Sequence, residues 1–448
     1  MMVFLGAGSS VSLCAQQTPD LVTPPANILL PNYNSVPVGP NAGTESGAYV
    51  ARVGDPSAAW INPAGLSRGE STELSGSSGT FQLATVSPAV LPNSGGSIQN
   101  IPSLVGFTLP KLFGGRGTLG VAVLSANEWV QGTDSQIIRS GPDGQERFAY
   151  SADAQYESIV AAASLGYVTG RWRLGGGLSL IETNIERNAV VSDRVATDTN
   201  LVSLLISSRG SGTAIQVRPL LGMQYDVSPH VILGAAARTP AISLYKSGSY
   251  TAEAVADNDA GSQGVSFFDP NAPFDYRFPL EIHAGAAYVS ARGEIELDVH
   301  GFTPIGAYTL LSSSQPIVTY AEAGNGTGPV IGTQPFTGLT SQSRGVVNAS
   351  VGGHVALTSA GVWRVHFGAR TDRSPVSPHD QVFTQVNMYG GTLGLSGTKG
   401  GFVFTVGLDY HAGTSDHVML RQVSATSATE TTIRVRTLGL IYSLAYKF

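Results

Sequence analysis

From Ser71 onward the chain runs in segments of roughly ten to sixteen residues that alternate in polarity, separated by turn signals. Nowhere does it approach the roughly 18 uninterrupted apolar residues of a membrane-crossing helix. Period two over such lengths means strands whose two faces meet different surroundings. Charged residues are only 12% of the chain, where soluble domains average about 25%, and so little charge makes a poor water-facing surface. The alternation is therefore read as strands crossing a bilayer. In hydrocarbon the backbone must satisfy its own polar groups, and strands do so only by closing into a barrel.

Fourteen segments fit: 71–86, 101–110, 117–130, 153–168, 171–186, 212–227, 229–247, 278–290, 293–304, 344–358, 361–372, 384–397, 401–411 and 432–448. Gaps after the even-numbered ones are tiny (Thr169-Gly170, Ser228, Ala291-Arg292, Ser359-Ala360). Those after the odd-numbered ones are long and include 187–211, 248–277, 305–343 and 412–431. An even strand number, short turns on one rim and long loops on the other define the expected fold: all-β, a 14-stranded antiparallel transmembrane β-barrel of the bacterial outer membrane.

Side-chain parity assigns the faces. In 293–304, Glu294, Glu296, Asp298 and His300 share one face and Ile295, Leu297 and Val299 the other, so the polar set lines the lumen. In 361–372, Arg364, His366 and Arg370 face inward and Trp363, Val365 and Phe367 face lipid. The two lumen sets carry opposite charge and are expected to pair. The last segment sets Leu438, Leu440, Tyr442, Leu444, Tyr446 and Phe448 on one face, and Tyr446 with Phe448 is read as the signal taken up by the barrel assembly machinery. By the same parity Arg434 and Arg436 face outward, which requires that they stand level with the headgroups or that a bulge switches their face.

Residues 1–15 read as the tail of a secretory signal, with apolar Val3-Phe4-Leu5 and Val11-Ser12-Leu13 and small residues before Gln16. Cleavage there removes Cys14, the single cysteine. The net charge of −6 offers no basic field for nucleic acid. Residues 16–70 are rich in Pro, Gly, Asn and Ala without a lasting period, hence irregular backbone. A barrel of fourteen strands encloses more space than its own side chains fill, so 16–70 is expected to plug the lumen of a barrel formed by 71–448.

Within the plug lies Asp55 to Ser67 (DPSAAWINPAGLS). Pro63 fixes one φ and biases Asn62 away from helix, while Ala64 and Gly65 keep the turn slim against the wall. This stretch resembles the hatch signature of the FadL-type outer-membrane transporters, matched at Asp55, Asn62, Pro63, Ala64 and Gly65. Gly234 to Thr239 (GAAART), Phe278 to Glu281 (FPLE) and Phe367 to Val376 (FGARTDRSPV) are similar to further elements of that family, so the resemblance covers nearly the whole mature chain. It implies an outer-membrane channel, set among lipid and lipopolysaccharide, for passive uptake of a hydrophobic small molecule. Long-chain fatty acids come first and aromatic hydrocarbons second. The solute would pass from external loops to a pocket and leave sideways through a wall gap controlled by the hatch. Leu201, Leu204, Leu205, Phe267, Phe268 and Phe336, in apolar loop runs, are the expected capture residues. A secretion-associated barrel scaffold, motivated by the Gly/Ser-rich loop 305–343, and a porin for other solutes are the alternatives.

The eight His are scattered without paired spacing, so neither a metal site nor a cofactor is expected. No Gly-x-Ser-x-Gly element occurs, and no catalytic role is expected.

Overall fold

The computed structural model describes residues 28–29, 32–33, 38–88, 96–141, 144–196, 201–258, 261–323, 330–357, 362–378, 380, 382–420 and 429–448. The expected signal segment 1–15 and most of 16–37 lie outside these residues.

Alternation in sequence becomes a two-faced wall. Its strands are β1 (Glu73–Pro88), β2 (Gly96–Lys111), β3 (Gly117–Gly141), β4 (Gly144–Thr169), β5 (Trp172–Ala196), β6 (Leu201–Asp226) and β7 (Val231–Arg238). They continue as β8 (Glu281–Ser290), β9 (Gly293–Phe302), β10 (Val346–Ala356), β11 (Trp363–Asp372), β12 (Asn387–Lys399), β13 (Phe402–Leu420) and β14 (Thr429–Lys447). Each pairs antiparallel with the next, and β14 pairs back onto β1, so the wall is a closed 14-stranded barrel. Each of the fourteen expected segments overlaps one of these strands, although 229–247 is broken after Arg238 and its last residues belong to a separate strand, Ile242–Asn258.

The outer face is apolar: Leu119, Val121, Leu178, Leu221, Leu297, Val299, Val406, Leu408, Leu440 and Leu444 point away from the lumen. The inward parity is polar and buried, as at Ser164, Gln216, Gln224, Glu296, Asp298, Asn348, His366 and Thr405. Aromatics gather at the short-turn rim, where Trp172 meets Tyr225 with centroids 4.4 Å apart and Phe402 meets Tyr446 at 4.5 Å. Tyr446 in turn meets Phe448 edge-on at 4.7 Å. Such rings suit a membrane interface.

Two readings need correction and one open alternative is decided. First, the expected loop 187–211 is mostly wall, because β4, β5 and β6 run for 26, 25 and 26 residues, where about 9–11 cross a bilayer. Likewise strand Ile242–Asn258 runs on into 248–277, which also contains Gly261–Asp269, and 305–343 contains Pro316–Ala323 and Val330–Pro335. Beyond the lipid both faces of a strand can meet water, so polar side chains mask the alternation, yet backbone amides still need partners. Second, β14 has no register shift at Arg434 or Arg436, which pair with Thr414 and Ala412. Both keep their outward, exposed parity. Residues 438–448 already supply a bilayer crossing, so the two arginines stand beyond the hydrocarbon. Third, the oppositely charged ladders of β9 and β11 do not pair with each other, since β10 lies between them in the sheet.

Residues 38–69 run inside the barrel. Short helices Pro40–Thr44 and Ala58–Ile61 and a 3-10 turn Pro63–Arg68 are separated by tight bends; proline opens the first and the last, where its missing N–H costs nothing. Ala51, Val53, Ala58, Ala59, Ala64 and Leu66 are fully buried against the wall. Towards the long-loop rim, 274–278, the antiparallel pair Ile305–Leu311/Leu339–Ser343 and residues 376–378 and 382–386 fold inward around Phe274, Tyr276, Tyr308 and Val386. Phe278 packs against both this outer cluster and the inner segment's cluster.

Candidate functional site

The inner segment is fastened at four places. At the turn, Asn62 is extended (φ −156°, ψ 103°) because Pro63 follows it. Its Nδ2 donates to the Val50 carbonyl at 2.9 Å and to the Met223 carbonyl of β6 at 3.1 Å, and its Oδ1 accepts from the Ala64 N–H at 3.2 Å. One side chain thus ties the turn both to itself and to the wall. Asp55 acts locally, accepting from the Ser57 N–H at 2.9 Å ahead of the helix. Slimness is supplied chiefly by the wall: a Cβ at Gly175 would strike Pro63 and Ala64, and one at Gly222 would strike Asn62. Gly65 itself is needed against the Val53 carbonyl of the inner segment, not against the wall.

In the middle, the acidic ladder of β9 engages residues 49–52. Asp298 Oδ2 accepts the N–H groups of Tyr49 (2.8 Å) and Val50 (3.1 Å), and Glu296 Oε1 accepts that of Ala51 (2.5 Å). Arg52, its side chain 2% exposed, reaches Glu294 at 3.1 Å, Glu296 at 3.0 Å and also Glu45. The ladder expected to meet β11 is instead taken up by the inner segment. At the short-turn end, Arg68 donates to Gln224 at 2.6 Å and to Asp226 at 2.8 Å.

Glu45 is the fourth fastening. His354 of β10 and His366 of β11 stand directly opposite one another, and their Nδ1 atoms lie 3.0 and 2.7 Å from Glu45 Oε1. His366 Nε2 is 2.8 Å from Ser396 Oγ. Burial alone would raise the Glu45 carboxyl, but Arg52 and the two imidazoles outweigh it and hold it well below the usual carboxylate range. The histidines that looked scattered in sequence are therefore brought together with a carboxylate, and these three residues are the described group able to hold a metal ion.

Between the inner segment and the wall lies a cavity of about 120 Å³. Val38, Val50, Trp60, Ile61, Val160, Ile181 and Phe278 give it an apolar body; Arg218, Arg238, Glu281, His283, His300 and Arg370 form one polar pole. Glu281 is gripped by Arg218 and Arg238, each at 2.6 Å, and Arg238 lies over the Trp60 ring at 4.0 Å. His283 and His300 meet through Nδ1 atoms 2.6 Å apart. Arg370 is 3.5 Å from Asp409. Near the cavity the wall changes: β2 and β3 pair only between Val105–Leu109 and Leu119–Val123. Just beyond, β3 is bulged between Ser125 and Asn127, and Ala126 at that bulge lines the cavity.

Of the expected lumen residues, His300 and Arg370 reach the cavity, His366 joins Glu45, and Glu294, Glu296 and Asp298 hold the inner segment. Arg364 is inward by parity but exposed. The six expected capture residues divide. Phe267 and Phe336 stack on each other at 4.3 Å within an outer apolar cluster, Leu204 is half-buried, and Leu201, Leu205 and Phe268 are exposed. None lines the cavity. Sequence reading assigned no role to Arg218, Arg238, Glu281 or His283. Arg238 and Glu281 nevertheless lie in the GAAART and FPLE runs, which offered a signal.

No protein-family model matches the sequence, and no curated protein matches it. Solved structures share its fold. A Pseudomonas aeruginosa FadL homologue is 13% identical with TM-score 0.56, covering 94% of this chain and 99% of its own. The P. putida toluene transporter TodX is 11% identical with TM-score 0.56 (92% and 98% covered), and the CymD monoaromatic hydrocarbon channel 14% identical with TM-score 0.52 (93% and 99%). At such identities the likeness establishes a common barrel architecture over nearly the full length of both chains.

Proposed function

We propose that the chain is an outer-membrane channel of the FadL type for passive uptake of hydrophobic compounds, with residues 16–70 as its hatch, 71–448 as its barrel and 1–15 as a cleaved export signal. One observation carries the reading: a largely apolar, partly open cavity between the inner segment and the wall adjoins the stretch where pairing between β2 and β3 stops. A water-filled porin has no use for an apolar cavity beside a plug, whereas a hydrophobic solute gains by desolvation there and can leave sideways into lipid without crossing water.

Size bears on the substrate. The cavity of about 120 Å³ is of the order of an engineered cavity of about 150 Å³ that seats benzene, which favours a monoaromatic hydrocarbon, the class carried by TodX and CymD. The polar pole supports a second reading, a long-chain fatty acid whose carboxylate approaches Arg218 and Arg238, since only Glu281 is shared between them. Exposed Leu201, Leu205 and Phe268 serve as first contact at the outer rim, and Tyr446 with Phe448 as the signal to the assembly machinery. The test is uptake of labelled toluene and oleate into proteoliposomes, with and without residues 16–40. Uptake no faster than in protein-free vesicles overturns transport of these solutes. Unchanged uptake by the truncated chain overturns gating by the N-terminal segment.

A further inference from the structure

We propose that Glu45, His354 and His366 form a site for a divalent transition-metal ion of the Zn2+ class, which clamps the inner segment to the barrel wall. The three residues come from three separate elements, the inner segment, β10 and β11. Each offers one donor atom, and the three atoms lie within 4.8 Å of one another. Their side chains are 0, 8 and 1% exposed.

Geometry, orientation and charge agree. A tetrahedral ion with bonds of about 2.1 Å keeps its donors about 3.4 Å apart. The present separations of 3.0 and 2.7 Å from the Glu45 oxygen to the two imidazoles need widen by well under 1 Å, and the two imidazole nitrogens, within 4.8 Å of each other, settle to the same spacing. Ser396 at 2.8 Å engages the far nitrogen of His366, the kind of outer partner that fixes the ring of a metal-binding histidine with its other nitrogen forward. Arg52 serves Glu45, Glu294 and Glu296 at once, and neighbouring Asp298 has an oxygen, Oδ1, with no hydrogen-bond donor among the described residues. Glu45 and Glu296, both fully buried, share the one Arg52 guanidinium, and a dication adds the positive charge that this pair lacks. Two imidazoles and one carboxylate suit Zn2+ and its neighbours, whereas Ca2+ and Mg2+ ask for all-oxygen shells. The fourth position is left to water.

The site stands on this geometry alone; that the ion restrains a gate rests on the transport reading above. Full-length protein in detergent, stripped with a chelator, would be titrated with Zn2+ alone by calorimetry and assayed for metal after desalting. The expected result is one tightly held Zn2+ per chain, lost in His354→Gln and in His366→Gln. Ser396→Ala, which keeps all three donors, should weaken binding by about 10–100-fold. Heat-modifiable gel mobility checks that each variant has a closed barrel. Zn2+ should also slow hydrogen exchange across residues 38–53 in the wild type and in neither histidine variant. Absence of stoichiometric Zn2+ from the wild type, or undiminished binding in both histidine variants, overturns the site. Stoichiometric binding without slowed exchange overturns the clamp. Neither readout involves solute uptake, so failure of the transport reading would be recognised separately.

Discussion

Arg52→Met removes the hub on which the inner segment's central fastening depends. The wild-type guanidinium is almost fully buried and touches Glu45, Glu294 and Glu296 together. In the variant Glu294, whose side chain is 29% exposed, can turn to water, and Glu45 keeps both imidazoles. Glu296, wholly buried, keeps the Ala51 N–H but loses its cation. The cost is that of breaking one buried ion pair, about 3–5 kcal/mol. At about 1.4 kcal/mol per decade, the population with 49–52 detached rises roughly 140- to 3700-fold. Amide hydrogen exchange reads this directly, because the Tyr49, Val50 and Ala51 N–H groups are the ones bonded to Asp298 and Glu296. Those amides should exchange faster by that factor while the β12/β13 ladder is unchanged. Arg52→Met combined with Glu296→Gln should recover much of the loss, since the stranded charge is gone. Wild-type exchange in the single variant, or no recovery in the double, would refute the assignment of Arg52 as an ionic hub.

Other consequences are testable with the same barrel. Gly222→Val puts a side chain where Asn62 and Pro63 lie, so protease sensitivity within 62–68 should rise while heat-modifiable mobility is kept. Ala126→Trp fills a cavity of about 120 Å³ from the wall side, and toluene uptake should fall at least about tenfold with the barrel intact, because a preformed pocket is lost. The depressed Glu45 pKa predicts a pH profile. A carboxyl whose folded value lies below its unfolded one contributes stability fully above about pH 4.3 and loses it as pH falls towards the folded value. Exchange of 42–46 should therefore respond to Glu45→Gln at pH 6 and converge with the variant in strong acid; an equal effect at both would contradict the shift.

How far the molecule could be read in its sequence depended on whether one element or several carried the signal. The wall was legible because lipid imposes period two on each strand separately, as Glu294 to His300 and Phe402 to Tyr410 display. Outside the lipid the same strands go on, but Arg187 on the inward parity of β5, between buried Ile185 and Ala189, disguises the pattern. Meetings between elements were hidden. His354 and His366 become neighbours only through the β10/β11 register, and Glu45 only once the inner segment is threaded past both. The cavity's pole likewise draws Arg218, Arg238, Glu281 and His283 from β6, β7 and β8, each at an inward position that any polar residue could have filled.

One trace of the threading was nevertheless written into the wall. Gly166, Gly175, Gly222, Gly234, Gly352, Gly368, Gly394 and Gly407 all lie on the inward parity of their strands, and a Cβ at each would meet the inner segment. At Gly352 and Gly368 the obstacle is Glu45, at Gly234 it is Ala51, and at Gly394 and Gly407 it is Thr44. Glycine weakens a strand interior, so a wide barrel that merely needed a wet lumen would fare better with Ser or Thr at these positions. Their presence implies backbone packed against backbone, and hence an inner segment held at fixed depth. The clamp residues Glu45, His354 and His366 lie at such a contact, because the two histidines flank the glycines that Glu45 approaches.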